Sequence, residues 1–197
     1  MKKIIAAVLI LLPITAHAFV AKAVICASKG SVAVKFPTAN SIFIQQGTLI
    51  NNVTNMYAAD GNYVTQNDVG TGGGDSIAGA VKYTGFGFSI PAGATIKGVR
   101  AELNKYSTYS TAQDLYIQLV KAGATAGDNK ATLDYWPQTP TIFYYGTPTD
   151  MWGTTLTPAD VNAANFGIQV GWIFSNTGNN EVVNADYVTL TFYYTVS

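Results

Sequence analysis

Histidine is all but missing. The one example, His17, lies in Ile14-Thr15-Ala16-His17-Ala18, a small-x-small signal-peptidase site. A chain starting at Phe19 carries no imidazole, which excludes Ser-His-Asp and Cys-His catalysis and His-ligated zinc or iron. Cysteine is as scarce. Cys26 is the only one, so no disulfide can form within the chain, and its two roles are a small buried thiol or an intermolecular disulfide. Charged residues make up only 11% of the sequence. Without Lys2 and Lys3 the eleven basic residues fall to nine against eleven acidic ones, and no charge pattern points to nucleic acid. Long apolar runs are missing too. Ile4 to Leu12 falls short of the about 20 residues that span a bilayer. Preceded by Lys2 and Lys3 and followed by Pro13, that run makes residues 1–18 a secretory signal. A retained hydrophobic anchor or a buried first helix is the alternative, and with the anchor the chain meets a membrane only through this segment.

What is present is aromatic, Gly-rich and weakly charged, as in secreted or surface-exposed β-proteins, and too aromatic for disorder. Alternation of period two recurs. It appears in Ser31 to Phe36, in Ser41 to Gln45, and in Ile96 to Lys105, where Val99, Ala101 and Leu103 face one way and Arg100, Glu102 and Asn104 the other. Asp114 to Lys121 repeats it, with Leu115, Ile117 and Leu119 inward. Further strands are expected at Ile142 to Tyr145, Phe166 to Phe174 and Val182 to Val196, the last with Val188, Leu190 and Phe192 or their neighbours filling the core. Lys97, Arg100, Glu102 and Gln118 are expected to be largely exposed. Ser89-Ile90-Pro91-Ala92-Gly93-Ala94-Thr95-Ile96 reads as strand, turn, strand, and Ser175 to Asn180 as a hairpin loop. Thr157-Pro158-Ala159-Asp160-Val161-Asn162 is the one helical turn, with Thr157 as cap and Pro158 in the first helical position. The flexible Gly70-Thr71-Gly72-Gly73-Gly74 is flanked by strands and does not divide the domain. The expected layout is a signal over 1–18, an N-terminal strand or arm over 19–41, and one β-sandwich domain over 42–197.

Several stretches carry a likeness to a known kind of module. They are Asn55 to Thr65, Gly85 to Val99, Leu119-Val120-Lys121, Gly127 to Ala131, Trp136-Pro137, Tyr145 to Gly153, Leu156 to Asn162, Asn165 to Ile168 and Ala185 to Tyr194. From Asn52 onward the chain resembles a β-sandwich module recurring in tailed-phage and prophage structural proteins and in some secreted bacterial surface proteins. The resemblance implies an all-β fold, an antiparallel sandwich of jelly-roll type with one short helical turn. It says little about activity, because fold alone does not fix function. The N-terminal signal departs from what virion proteins carry.

Candidate site residues fall into two groups. Tyr106, Tyr109, Trp136, Tyr144, Tyr145 and Trp152 are candidate ligand-stacking rings, with Trp136 and Trp152 able either to stack on sugars or to plug the open end of a sandwich. Asp60, Asn62, Asp128, Asn129 and Asp186 are candidate oxygen donors for a structural calcium, or Asx residues bonded to their own turns. No other cofactor is indicated. Glycoside hydrolysis needs two carboxylates across a cleft, and the two glutamates have simpler roles, a cross-strand ion pair for Glu102, which lies beside Arg100 on the solvent-facing side of its strand, and a loop charge for Glu181. No catalytic residue is assigned. Two functions follow: a non-enzymatic structural or interaction protein, secreted or exposed on a cell or virion surface and assembling with itself or with other surface proteins; or a carbohydrate-binding module with a tyrosine platform for a glycan.

Overall fold

The computed structural model describes residues 30–68, 78–175 and 180–196. The signal, Cys26, the arm up to Lys29, the Gly70 to Gly74 run and most of the Ser175 to Asn180 loop lie outside the described residues.

Ten strands form two five-stranded sheets. Sheet A contains β1 (Gly30–Lys35), β3 (Val64–Asn67), β5 (Thr95–Ser107), β8 (Thr141–Gly146) and β10 (Val182–Thr195). Sheet B contains β2 (Ala39–Gln45), β4 (Ala78–Thr84), β6 (Ala112–Lys121), β7 (Ala124–Ala126) and β9 (Gly167–Phe174). All pairings are antiparallel, in the orders β1-β10-β5-β8, with β3 also on β10, and β2-β4-β9-β6-β7. Apart from the β6–β7 hairpin the chain changes sheet at every connection, which is the winding of a jelly roll. The N-terminal strand expected at Ser31 to Phe36 is therefore part of the sandwich: Val34 faces Thr191 and Val32 faces Tyr193 on β10.

Alternation of side chains builds the core between the sheets. Leu103, Ala101 and Val99 on β5 stand opposite Val188, Leu190 and Phe192 on β10, and all six are buried. Ile117 and Leu119 of β6 face Val170 and Ile168 of β9. At Leu115 the alternation fails. The register slips between Asp114 and Tyr116, so a β-bulge leaves Leu115 half-buried and turns Asp114 into the core. Two more expectations need correcting. The strand expected at Ser89-Ile90, before the Pro91 turn, does not form; just ahead of it Gly85 and Gly87 adopt φ of +71° and +64°, which breaks a ladder while still letting Phe86, Phe88 and Ile90 point inward. Arg100, Glu102 and Gln118 are half-buried where exposure was expected, and only Lys97 is well exposed.

The short helix α1 (Pro158–Asn162) forms where its cap predicts. The Thr157 hydroxyl accepts from the Asp160 amide, the Asp160 carboxylate accepts from the Thr157 amide at 2.9 Å, and Pro158 opens the first turn. Sequence did not foretell the 3-10 turn at Val53–Tyr57, whose Met56 is buried. Partial burial pushes the Asp160 carboxyl up, but the Thr157 amide, Lys121 at 3.0 Å and the Thr157 hydroxyl together hold it below the usual carboxylate range. A carboxyl with a depressed folded value stabilises above its unfolded value of about 3.9 and loses that contribution as pH falls through the folded one. Asp160→Asn is thus expected to be less stable than the parent at neutral pH and equally stable in strong acid. Urea unfolding at both ends of that window checks this; a deficit that persists in acid would contradict it.

Candidate functional site

Where a sandwich can meet a partner depends on what its sheet faces and edges leave uncovered. On the outer face of sheet A, β8 contributes Ile142 and Tyr144, β5 contributes Arg100, Glu102, Asn104 and Tyr106, and β10 contributes Tyr187 and Tyr193, as the register and alternation require. Arg100, the chain's only arginine, lies over the Tyr144 ring at 4.8 Å. The Tyr187 hydroxyl donates to Glu102 Oε1 at 2.7 Å. Burial and then this carboxylate push the Tyr187 phenol well above its usual range. Glu102 is therefore engaged by a tyrosine. On the β1 side the Phe36 ring meets Tyr187 edge-on at 6.0 Å, and Tyr63 meets Tyr106 edge-on at 5.3 Å.

Edges are the other exposed feature. Among the described residues β1 ends sheet A and β2 ends sheet B, and Phe36 to Thr38 joins them, so one side of the sandwich carries both. Val32 and Val34 are 58% and 53% exposed. Phe36, Ile42, Phe43 and Leu49 are exposed as well, so residues 32–49 hold six of the twelve exposed large hydrophobic side chains. Lys35 is the only charge on β1, and β2 has none. The usual devices that blunt an edge, charge and proline, are nearly missing here. Only the register slip between Ile42 and Ile44 interrupts β2.

The sequence-selected rings are scattered between surface and core. Tyr144 and Tyr109 are exposed and Tyr106 is half-buried, whereas Trp136, Tyr145 and Trp152 are buried and offer no face to a ligand. The two tryptophans are core plugs: Trp152 Nε1 donates to the Val99 carbonyl at 2.9 Å and Trp136 Nε1 to Asp114 Oδ1 at 2.9 Å. Asp60 and Asp186 come together, with Asp186 Oδ1 accepting from the Asp60 and Gly61 amides at 3.2 and 3.1 Å. The Asn62 amide donates to Asp60 Oδ1 at 3.0 Å. Asp128 instead pairs with Lys130 at 3.6 Å, and Asn129 bonds both backbone groups across the bulge at Leu115 and Ile117. Among the described residues no three His, Cys, Asp or Glu side chains are grouped to hold a metal ion.

Glu181 corrects another expectation. It is no exposed loop charge: its buried carboxylate accepts from the Tyr109 and Thr111 amides and from the Thr108 and Thr111 hydroxyls. It organises the β5–β6 connection. The only signal for this in the residues is the row of hydroxyl side chains at 107–111. Sequence reading also missed the pairing of Lys105 with Asp114 in the core. Its signal was available, since Lys105 continues the inward series Val99, Ala101, Leu103.

No family model matches this sequence, and no curated protein matches it. Among solved structures, the family 11 carbohydrate-binding module from Clostridium thermocellum, in complex with a β-1,3-1,4-mixed-linked tetrasaccharide, aligns with 82% of this chain and 87% of its own at 14% identity and a TM-score of 0.26.

Proposed function

We propose that this chain is a non-enzymatic interaction module, secreted or displayed on a cell or virion surface, that assembles with copies of itself through the side formed by β1 and β2. One observation carries the reading: among the described residues, half of the exposed large apolar side chains lie in residues 32–49, the segment that forms two poorly protected sheet edges. An edge strand with free amides and carbonyls and an apolar outward row is a template for a neighbour's strand, whose backbone bonds supply affinity while Val32, Val34 and Phe36 supply buried area. Light scattering after size-exclusion chromatography of the full chain tests it. The parent is expected to run as a dimer or larger, and Val32→Lys/Val34→Lys as a monomer with unchanged thermal stability. A parent that stays monomeric as its concentration rises overturns the proposal.

A second reading rests on a separate feature, the aromatic outer face of sheet A. Tyr144, at 57% exposure, backed by Arg100 and flanked by Glu102, offers a ring to stack on a sugar and polar groups for its hydroxyls. The rings around it pair edge-on and do not form one plane, which makes this a small site and favours assembly as the principal role. Titration calorimetry with mixed-linkage β-glucan oligosaccharides separates the two. Under this second reading Tyr144→Ala lowers affinity at least about tenfold, the loss of one good stacking contact, while the oligomeric state is retained. Absence of any heat with the parent removes the glycan reading and leaves the assembly reading untouched.

A further inference from the structure

We propose that Lys105 and Asp114 condense to an intramolecular isopeptide bond that ties sheet A to sheet B through the core. Lys105 comes from β5 and Asp114 from the bulge of β6, and the two side chains meet in direct contact, both essentially without solvent access. The Lys105 Nζ also lies over the rings of Phe143, Trp136 and Tyr145 at 4.4, 4.6 and 5.3 Å. An aromatic cage of this kind excludes water from both reactants.

Each oxygen of Asp114 is held in a different way. Oδ1 accepts from Trp136 Nε1 at 2.9 Å. Oδ2 accepts from the Tyr145 hydroxyl at 2.8 Å and from the Thr132 amide and hydroxyl at 3.3 and 3.4 Å. The Lys105 Nζ donates to the same Tyr145 oxygen at 2.6 Å, so one hydroxyl bridges the amine and Oδ2. That bridge is a proton path from the nucleophile to the leaving oxygen.

The step balances without any co-reactant. A proton passes from the ammonium through the Tyr145 hydroxyl to Oδ2, leaving amine and acid. The Nζ lone pair attacks Cγ and the Nζ–Cγ bond forms. A second proton moves from Nζ through the Tyr145 hydroxyl to Oδ2, the Cγ–Oδ2 bond breaks, and Oδ2 departs as water. Oδ1 remains as the amide oxygen, bonded to the Trp136 indole.

Three physical arguments favour condensation over a lasting ion pair. Burial lowers the proton affinity of Lys105 against the opposing pull of Asp114, which brings the nucleophilic free amine within reach. Fixing amine and carboxyl in contact supplies an effective concentration of about 10⁵ M or more, against which the water that hydrolyses amides cannot compete in a closed cage. Condensation also removes two buried charges that are costly to hold out of water. Because Cys26 is the sole cysteine, this is a covalent tie that the core can form without sulfur.

Mass spectrometry of the full chain tests the bond. The parent is expected to be one water lighter than its sequence, to yield a branched peptide joining Lys105 to Asp114, and to resist trypsin after Lys105 even when denatured. Lys105→Arg and Asp114→Ala are each expected at the full mass of their own sequences, whether or not they fold. Asp114→Asn, which would expel ammonia, is expected to reach the parent's final mass. Tyr145→Phe keeps the ring and removes the relay, and is expected to be folded yet one water heavier than the linked form. A parent of full sequence mass that trypsin cuts after Lys105 overturns the proposal, and a Tyr145→Phe chain that links as fast as the parent overturns the relay.

Discussion

Trp152→Ala is expected to lower the free energy of unfolding by about 3–5 kcal/mol, the range for deleting a large buried aromatic. The side chain is fully buried and does more than fill space. Its indole bonds the Val99 carbonyl on β5, its amide donates to Asp150 Oδ1 at 2.7 Å, and its carbonyl accepts from the Asp128 amide at 2.7 Å. One residue thus fastens two loops to the strand beyond the end of β8. Trp152→Phe separates the contributions: retaining most of the volume but orphaning the Val99 carbonyl, it is expected to cost about 1–3 kcal/mol. Guanidinium unfolding of both variants is the measurement. A loss below about 1 kcal/mol for the alanine variant would show that the loop collapses onto the space without penalty.

Glu181→Ala is expected to be nearly as damaging, at about 3 kcal/mol, because it strips the shared acceptor from four donors at once. Its effect should also be local. Amide exchange at Tyr109 and Thr111 should rise far more than exchange in β9, whose ladder does not involve this carboxylate. Glu181→Gln keeps one acceptor oxygen and turns an amide group toward donors, so it should fall between parent and alanine variant. Equal exchange at Tyr109 in parent and Glu181→Ala would show that water replaces the carboxylate at no cost.

Much of this architecture was legible in the residues, and the failures have definite causes. Long alternating runs such as Val99 to Leu103 and Val188 to Phe192 declare both their structure and their inward face, since a one-residue slip would expose the whole set. The capped turn at Thr157 is equally local, because every group that stabilises it lies within four residues. Sequence alternation cannot register a bulge, so Leu115 and Asp114 exchanged places. Nor can it weigh backbone conformation, so Ser89-Ile90 imitated a strand although the positive φ of Gly85 and Gly87 just before it has already taken the chain out of a ladder. Of the candidate site, Tyr144 and Tyr109 sit at the surface as a ligand-stacking role requires. Burial of Trp136, Tyr145 and Trp152 depends on partners 22 to 53 residues away, which single-sequence reading does not see. The exposed edges were hidden for the same reason: which strand ends a sheet is a property of the whole winding.

That winding has a consequence for how the chain acquires its structure. β10, the last strand, is the common partner of β1, β3 and β5, and it fills the middle of sheet A. Until it leaves the ribosome, Val99, Ala101 and Leu103 have no ladder on that flank and β1 has no partner strand among the described residues. Pairings between strands as far apart in sequence as β1 and β10 close long loops and are slow to form. A nascent chain halted before Val182 would therefore hold its hydrophobic strands open to other chains, and chaperone dependence in synthesis should rise sharply for any truncation that removes β10.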